Sequence, residues 1–221
     1  MALLSTKGTI PKNAVPLSRE EAIMYQWKQI GQWRNKSDVW IFQWGIPTLG
    51  AIAGAAGWYI NSRYRKKLKL RDYGYITTSL PLIACPVIFS IMAHVQFVTG
   101  DLFLNETKCF VCVQQRAIAF QVATAVLYPM VMSPVLNFYM ALSYGTYRVP
   151  YWKDAKGTLN VWWKLTKPLG KSLLVSACVQ AVAATYVTYT EVESLYKMRT
   201  KLMQIPEETE IQKAENVTVK Q

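Results

Sequence analysis

Four long runs of this chain contain no Lys, Arg, Asp or Glu: residues 39–62, 73–100, 117–147 and 172–190. Each approaches or exceeds the ~20 apolar residues that cross ~30 Å of hydrocarbon at ~1.5 Å per residue. The pattern predicts an all-α, polytopic membrane protein with four transmembrane helices spanning residues 39–190. In lipid, every backbone polar group must be satisfied within its own segment, and helices associate by close packing rather than by expelling water. Residues 1–38 then form a partly amphipathic N-terminal segment. After the fourth run, Val192, Leu195, Tyr196, Arg199, Leu202 and Met203 recur at helical spacing, with Glu193 four residues before Lys197 as a supporting pair. They predict a helical extension over 191–205, ended by Pro206, and a polar, disordered tail over 206–221.

Within the spans, proline and glycine carry the local signals. Pro81 and Pro86 interrupt the second span, Pro129 and Pro134 the third. Each removes a helical hydrogen bond and presses its ring toward the carbonyl four residues back, so kinked or broken helices are expected. In the first span, Gly50 and Gly54 form a GxxxG pattern, and Gly57 extends a face almost free of side chains. Another helix can approach such a face closely, whether from the same bundle or from a partner. Before the fourth span, Leu159, Trp162, Trp163 and Leu165 stand beside Lys164 and Lys167, which suits an interfacial helix in the head-group plane.

Charge adds orientation. Only 17% of residues are charged, yet the net charge is +12, and the cations crowd into the connections. Residues 63–72 and 148–171 each carry 6 Lys or Arg, against 2 in the 101–116 connection. The two short basic connections are expected on the cytoplasm-like side, which is the matrix for a mitochondrial inner membrane. Both termini and the middle connection then face the intermembrane space. Trp40, Trp44, Trp58, Tyr59 and Tyr64 flank the first span, and Tyr147, Tyr151, Trp152, Trp162 and Trp163 surround the third connection. Cations interleaved with interfacial aromatics point to membrane lipids, cardiolipin included, and away from nucleic acid. Arg63, Arg65, Lys66, Lys67, Lys69 and Arg71, with Trp162, Trp163, Lys164 and Lys167, are the candidate docking residues for partner or lipid. No cleavable secretory signal is visible in residues 1–17; a weak presequence-like character competes with internal targeting.

The chemistry-bearing residues are few. None of the four runs holds an ionised side chain, so a carrier or proton relay lacks its working group, and no nucleophile stands with a base. A non-enzymatic protein without cofactor or metal is expected. His94 is the single histidine, and with no carboxylate in its run it reads as a satisfied interfacial residue. Cys85 and Cys178 lie singly within spans as small apolar groups. Cys109 and Cys112 form a CxxC in the middle connection. A zinc site would need a second pair, so a redox pair or a short structural disulfide remains, the disulfide being favoured on an oxidising face.

Thr99-Gly100-Asp101-Leu102, the Cys109–Cys112 pair, Leu127-Tyr128-Pro129 followed by Pro134-Val135, then Trp163-x-x-Thr166-Lys167-Pro168 and Gln180 occur in that order between four spans. The combination, over roughly residues 40–200, resembles the transmembrane protein 126 family. That resemblance implies a mitochondrial inner-membrane scaffold that assists assembly of respiratory complex I. Its implied partners are membrane-arm subunits of that complex and matrix-side assembly factors. The rival reading is a secretory-pathway four-span scaffold, motivated by sequons at Asn35, Asn105 and Asn216; behind it stands a small-molecule carrier.

Overall fold

In the computed structural model, which describes residues 17–104, 109–147 and 155–218, every regular element is helical. The described chain opens with α1 (Arg19–Gln32), whose start is set by a capping box. The Glu21 amide donates to the Ser18 hydroxyl at 3.3 Å, and the Ser18 amide donates to the Glu21 carboxylate at 2.8 Å. The backbone bond from Ser18, and after it the hydroxyl bond, hold the Glu21 carboxyl below the usual carboxylate range.

Four helices are long and apolar enough to cross a membrane: Lys36–Lys67, Tyr75–Leu104, Phe110–Ser143 and Lys156–Leu202. The first joins α2 (Lys36–Trp40) to α3 (Ile46–Lys67) through a π-helical turn at Ile41–Gly45. The second joins α4 (Tyr75–His94) to α5 (Gly100–Leu104) through another at Val95–Thr99. The third joins α6 (Phe110–Val122) to α7 (Tyr128–Ser143) through a third at Ala123–Leu127. The last comprises α8 (Ala155–Thr166), a 3-10 turn at Lys167–Leu169 carrying Pro168, and most of α9 (Gly170–Thr218). Each helix outruns its uncharged run, because a helix does not stop where charge begins; the ends simply leave the hydrocarbon.

Of the kinks or breaks expected at proline, no break in helical structure occurs at Pro81, Pro86 or Pro134. α4 passes unbroken through Pro81 and Pro86, and α7 through Pro134. Two further prolines stand just after π turns. Pro47 and Pro129 each follow by four residues a position inside a π turn, Gln43 and Ala125, where a wider turn draws the opposed carbonyl away from the ring. The disordered tail is likewise corrected: α9 runs helically to Thr218, through Pro206 and a stretch of Glu, Gln, Lys and Ala that favour helix. Residues 1–16, the Asn105 sequon, and Tyr151 and Trp152 lie outside the described residues.

Packing ties the bundle at both ends. Ile30 of α1, Val39, Phe42 and Phe103 bury themselves with Leu195 and Met198 of α9. Trp27 adds edge-on contacts to Phe42 and Phe103 at 6.1 and 5.3 Å between ring centres, each worth ~1 kcal/mol beyond its buried area. At the opposite end Tyr64, Leu68, Leu70, Phe138, Leu165 and Leu169 form a second cluster. Between them α3 and α4 lie antiparallel in close contact. A Cβ at Gly50 would meet Ile91 at 2.9 Å, one at Gly54 would meet Val87 at 2.7 Å, and one at Gly57 would run into the Leu82 carbonyl oxygen. These three glycines therefore face α4. Ile76, Leu80, Met92, Val135, Leu174 and Val182 point outward as exposed apolar residues, the arrangement lipid requires.

Candidate functional site

The interior of the bundle is not uniformly apolar. Polar side chains meet in tiers, each built from more than one span. Near the 68–74 connection, Asn61 of α3 donates to the Ser79 hydroxyl of α4 at 3.0 Å, and Asn137 of α7 donates to Asn61 Oδ1 at 2.8 Å. Deeper, the Ser90 hydroxyl of α4 donates to Gln121 Oε1 of α6, and Gln180 Nε2 of α9 donates to the same oxygen at 2.8 Å and to the Leu49 carbonyl at 3.2 Å. That single tier joins all four spans.

The next tier carries ionisable groups. His94 Nε2 and Glu191 Oε2 are hydrogen-bonded at 3.3 Å, and the Thr99 hydroxyl donates to Glu191 Oε1 at 3.2 Å. Both members of the pair are 0% exposed. The π turn at Val95–Thr99 makes this possible. Five residues advance an α-helix by 500°, placing i and i+5 on different faces, whereas a wider turn returns Thr99 toward the His94 side. His94 Nδ1 has no hydrogen-bond partner among the described residues, so the ring engages through one nitrogen. The interfacial reading of His94 is thus corrected. Its carboxyl partner comes from the fourth span, one residue beyond the uncharged run, so an ionisable pair absent from the uncharged runs lies buried inside the bundle. A final tier sets Asp101 between Arg19 at 2.8 Å and Arg116 at 2.5 Å.

The predicted docking residues divide into two kinds. Lys66, Lys69 and Arg71 are exposed around an open cleft of about 490 Å³ between the end of α3 and the start of α4. Trp163, Lys164 and Lys167 are also exposed, on and just after α8. Arg63 is exposed but folds back on the Tyr59 hydroxyl at 2.9 Å. Three assignments are corrected. Arg65 is 4% exposed and fans across the connection, donating to the carbonyls of Gly74, Arg71 and Tyr73 at 3.2, 2.6 and 2.9 Å and to the Thr78 hydroxyl at 2.8 Å. It clamps the loop rather than offering itself to a partner. Lys67 is drawn inward to donate to the Leu165 carbonyl at 2.7 Å, and Trp162 is partly buried, its indole directed at the Met130 carbonyl.

Cys109 and Cys112 are joined by a disulfide at the first turn of α6, on the end of the bundle away from the basic cleft. Both are exposed. The residues that sequence reasoning passed over are Asn61, Ser90, Gln121, Asn137 and Glu191. Their signal was the presence of Asn and Gln in lipid-spanning runs, since each amide there requires a partner.

Residues 17–205 match the family model described as Transmembrane protein 126. A Drosophila melanogaster protein named Transmembrane protein 126 is 33% identical over 213 residues, 95% of this chain and 96% of its own. Transmembrane protein 126A of Rattus norvegicus is 25% identical over 78% of this chain and 84% of its own. The Homo sapiens protein of that name is 24% identical over 74% and 80%. No solved structure matches.

Proposed function

Since this chain belongs to the transmembrane protein 126 family, we propose that it is a non-enzymatic scaffold of the mitochondrial inner membrane that assists assembly of respiratory complex I. In this reading it holds immature membrane-arm subunits against its lipid-facing helices, while matrix-side assembly factors dock on its basic end. The 63–72 and 148–171 connections face the matrix; both termini and the Cys109–Cys112 turn face the intermembrane space.

One observation carries the reading. Polar groups of different spans are hydrogen-bonded to one another inside the bundle, whereas Lys66, Lys69, Arg71, Lys164 and Lys167 stand exposed at one end with Trp163. A surface of that kind steers and registers acidic partners. The test is affinity purification from mitochondria in mild detergent, comparing the native chain with a Lys66→Glu, Lys69→Glu, Arg71→Glu variant. Retention in the membrane with loss of soluble partners is expected. Recovery only from the secretory pathway, or an unchanged set of co-purified proteins, would refute the proposal.

A further inference from the structure

The cleft at the basic end has a composition that its role in holding the loop leaves unexplained. Arg65 forms its floor, and all four of its hydrogen bonds go to neutral oxygens. A buried guanidinium is therefore neutralised by no carboxylate in hydrogen-bonding contact. Lys66, Lys69 and Arg71 stand at the lip without an ion pair among the described residues, and Asp72 is the lone carboxylate in the lining. Four cations against one anion, around a concave surface with a low-dielectric wall, focus a positive potential into the cleft.

The backbone adds a second, independent sign. Lys69 and Arg71 hold φ values of +54° and +43°, a conformation that glycine adopts freely and long side chains avoid. Loop closure alone would be met at lower energy by glycine or asparagine at both positions. The helix ending therefore holds two cationic side chains, both exposed, at the lip of the cleft. Immediately beyond, Tyr75 lines the cleft and accepts from the Trp58 indole at 3.2 Å, the pair marking an interfacial level. Next to Tyr75 in α4, Ile76 and, one turn further on, Leu80 are 75% and 63% exposed, an apolar track leading away from the cations.

We infer that this cleft binds the phosphate head group of an anionic phospholipid, with Lys66, Lys69 and Arg71 contacting the phosphate, Arg65 polarising the floor, and the acyl chains lying along Ile76 and Leu80. The inference goes beyond the scaffold reading and rests only on the bundle lying in a bilayer. Purified full-length protein, exchanged into phosphatidylcholine alone or with cardiolipin or phosphatidylglycerol, is examined by native mass spectrometry for retained lipid. The native chain should keep anionic lipid through detergent washing. A Lys69→Asn, Arg71→Asn variant, whose asparagines tolerate the backbone, should retain it at least about tenfold less while its helical signal is unchanged. Lys69→Gly should lose lipid yet unfold at a higher temperature, since it releases strain. Equal retention by all three proteins would overturn the inference. So would inorganic phosphate stabilising delipidated protein as much as the lipids do, which would assign the cleft to a free anion.

Discussion

Gly57 lies against the carbonyl oxygen of Leu82, the oxygen that loses its helical donor because residue 86 is proline. A Cβ at Gly57 would run into that oxygen, so the glycine points a Cα–H bond at it instead. Such a contact is a weak hydrogen bond, and in hydrocarbon it partly satisfies an acceptor that water cannot reach. Glycine and proline on neighbouring spans thus complete one another.

Gly57→Ala should destabilise the bundle by roughly 1–3 kcal/mol through overpacking against backbone. Gly50→Ala should cost less, because its obstacle is the flexible end of Ile91. Gly31→Ala, with nothing within 4 Å, is the control and should be neutral or stabilising. Thermal unfolding in a fixed detergent ranks the three; an equal loss at positions 31 and 57 would contradict the close approach.

Replacing either member of the buried His94–Glu191 pair alone should be costly. Glu191→Leu or His94→Leu leaves a buried polar partner stranded, at about 1–3 kcal/mol. The double leucine variant should recover part of that loss, since of the groups in this tier only the Thr99 hydroxyl then loses its acceptor. Equilibrium unfolding of all four proteins gives the coupling directly, and additive losses would show that the pair does not act as a unit.

Arg65→Lys should loosen the 68–74 connection despite keeping the charge. One ammonium cannot span three carbonyls and a hydroxyl in the way a guanidinium fork does. Hydrogen exchange should accelerate at Arg71, Tyr73 and Gly74, while the amides of α9 keep native protection. An unaltered exchange pattern in the connection would remove the clamp.

Reduction of Cys109–Cys112, or Cys109→Ser, should barely change stability. The bond closes a loop within one helical turn, and a loop that short confers roughly 2 kcal/mol at most. Alkylation of Cys109 and Cys112 before and after reduction, followed by unfolding, separates this from a larger tertiary role.

Much of the architecture could be read from the chain. The uncharged runs located four membrane-length helices, the small-residue face marked the stripe of α3 that meets α4, and the alternating Trp, Leu and Lys pattern located α8. The polar tiers were harder to see because their members are far apart in sequence: His94 and Glu191 are separated by 97 positions and Gln180 from Leu49 by 131. Ending a span where charge begins also set Glu191 outside the fourth run, although its buried partner holds it inside the bundle. The π turns carry no composition signal of their own, so the alignment of Thr99 with His94 is invisible to α-helical periodicity. Among the cations, Arg65 and Lys69 have the same standing in the sequence; only the structure shows that the Arg65 side chain is locked inward while Lys69 stands exposed.

The tier joining all four spans also imposes a schedule. Gln180 and Glu191 belong to the fourth span, which leaves the ribosome after the three spans whose groups they satisfy. A nascent chain halted before residue 180 therefore carries an open seam of amide, imidazole and hydroxyl groups through the bilayer. Arrival of the fourth span closes that seam, so this helix acts as the bolt across the three inserted before it.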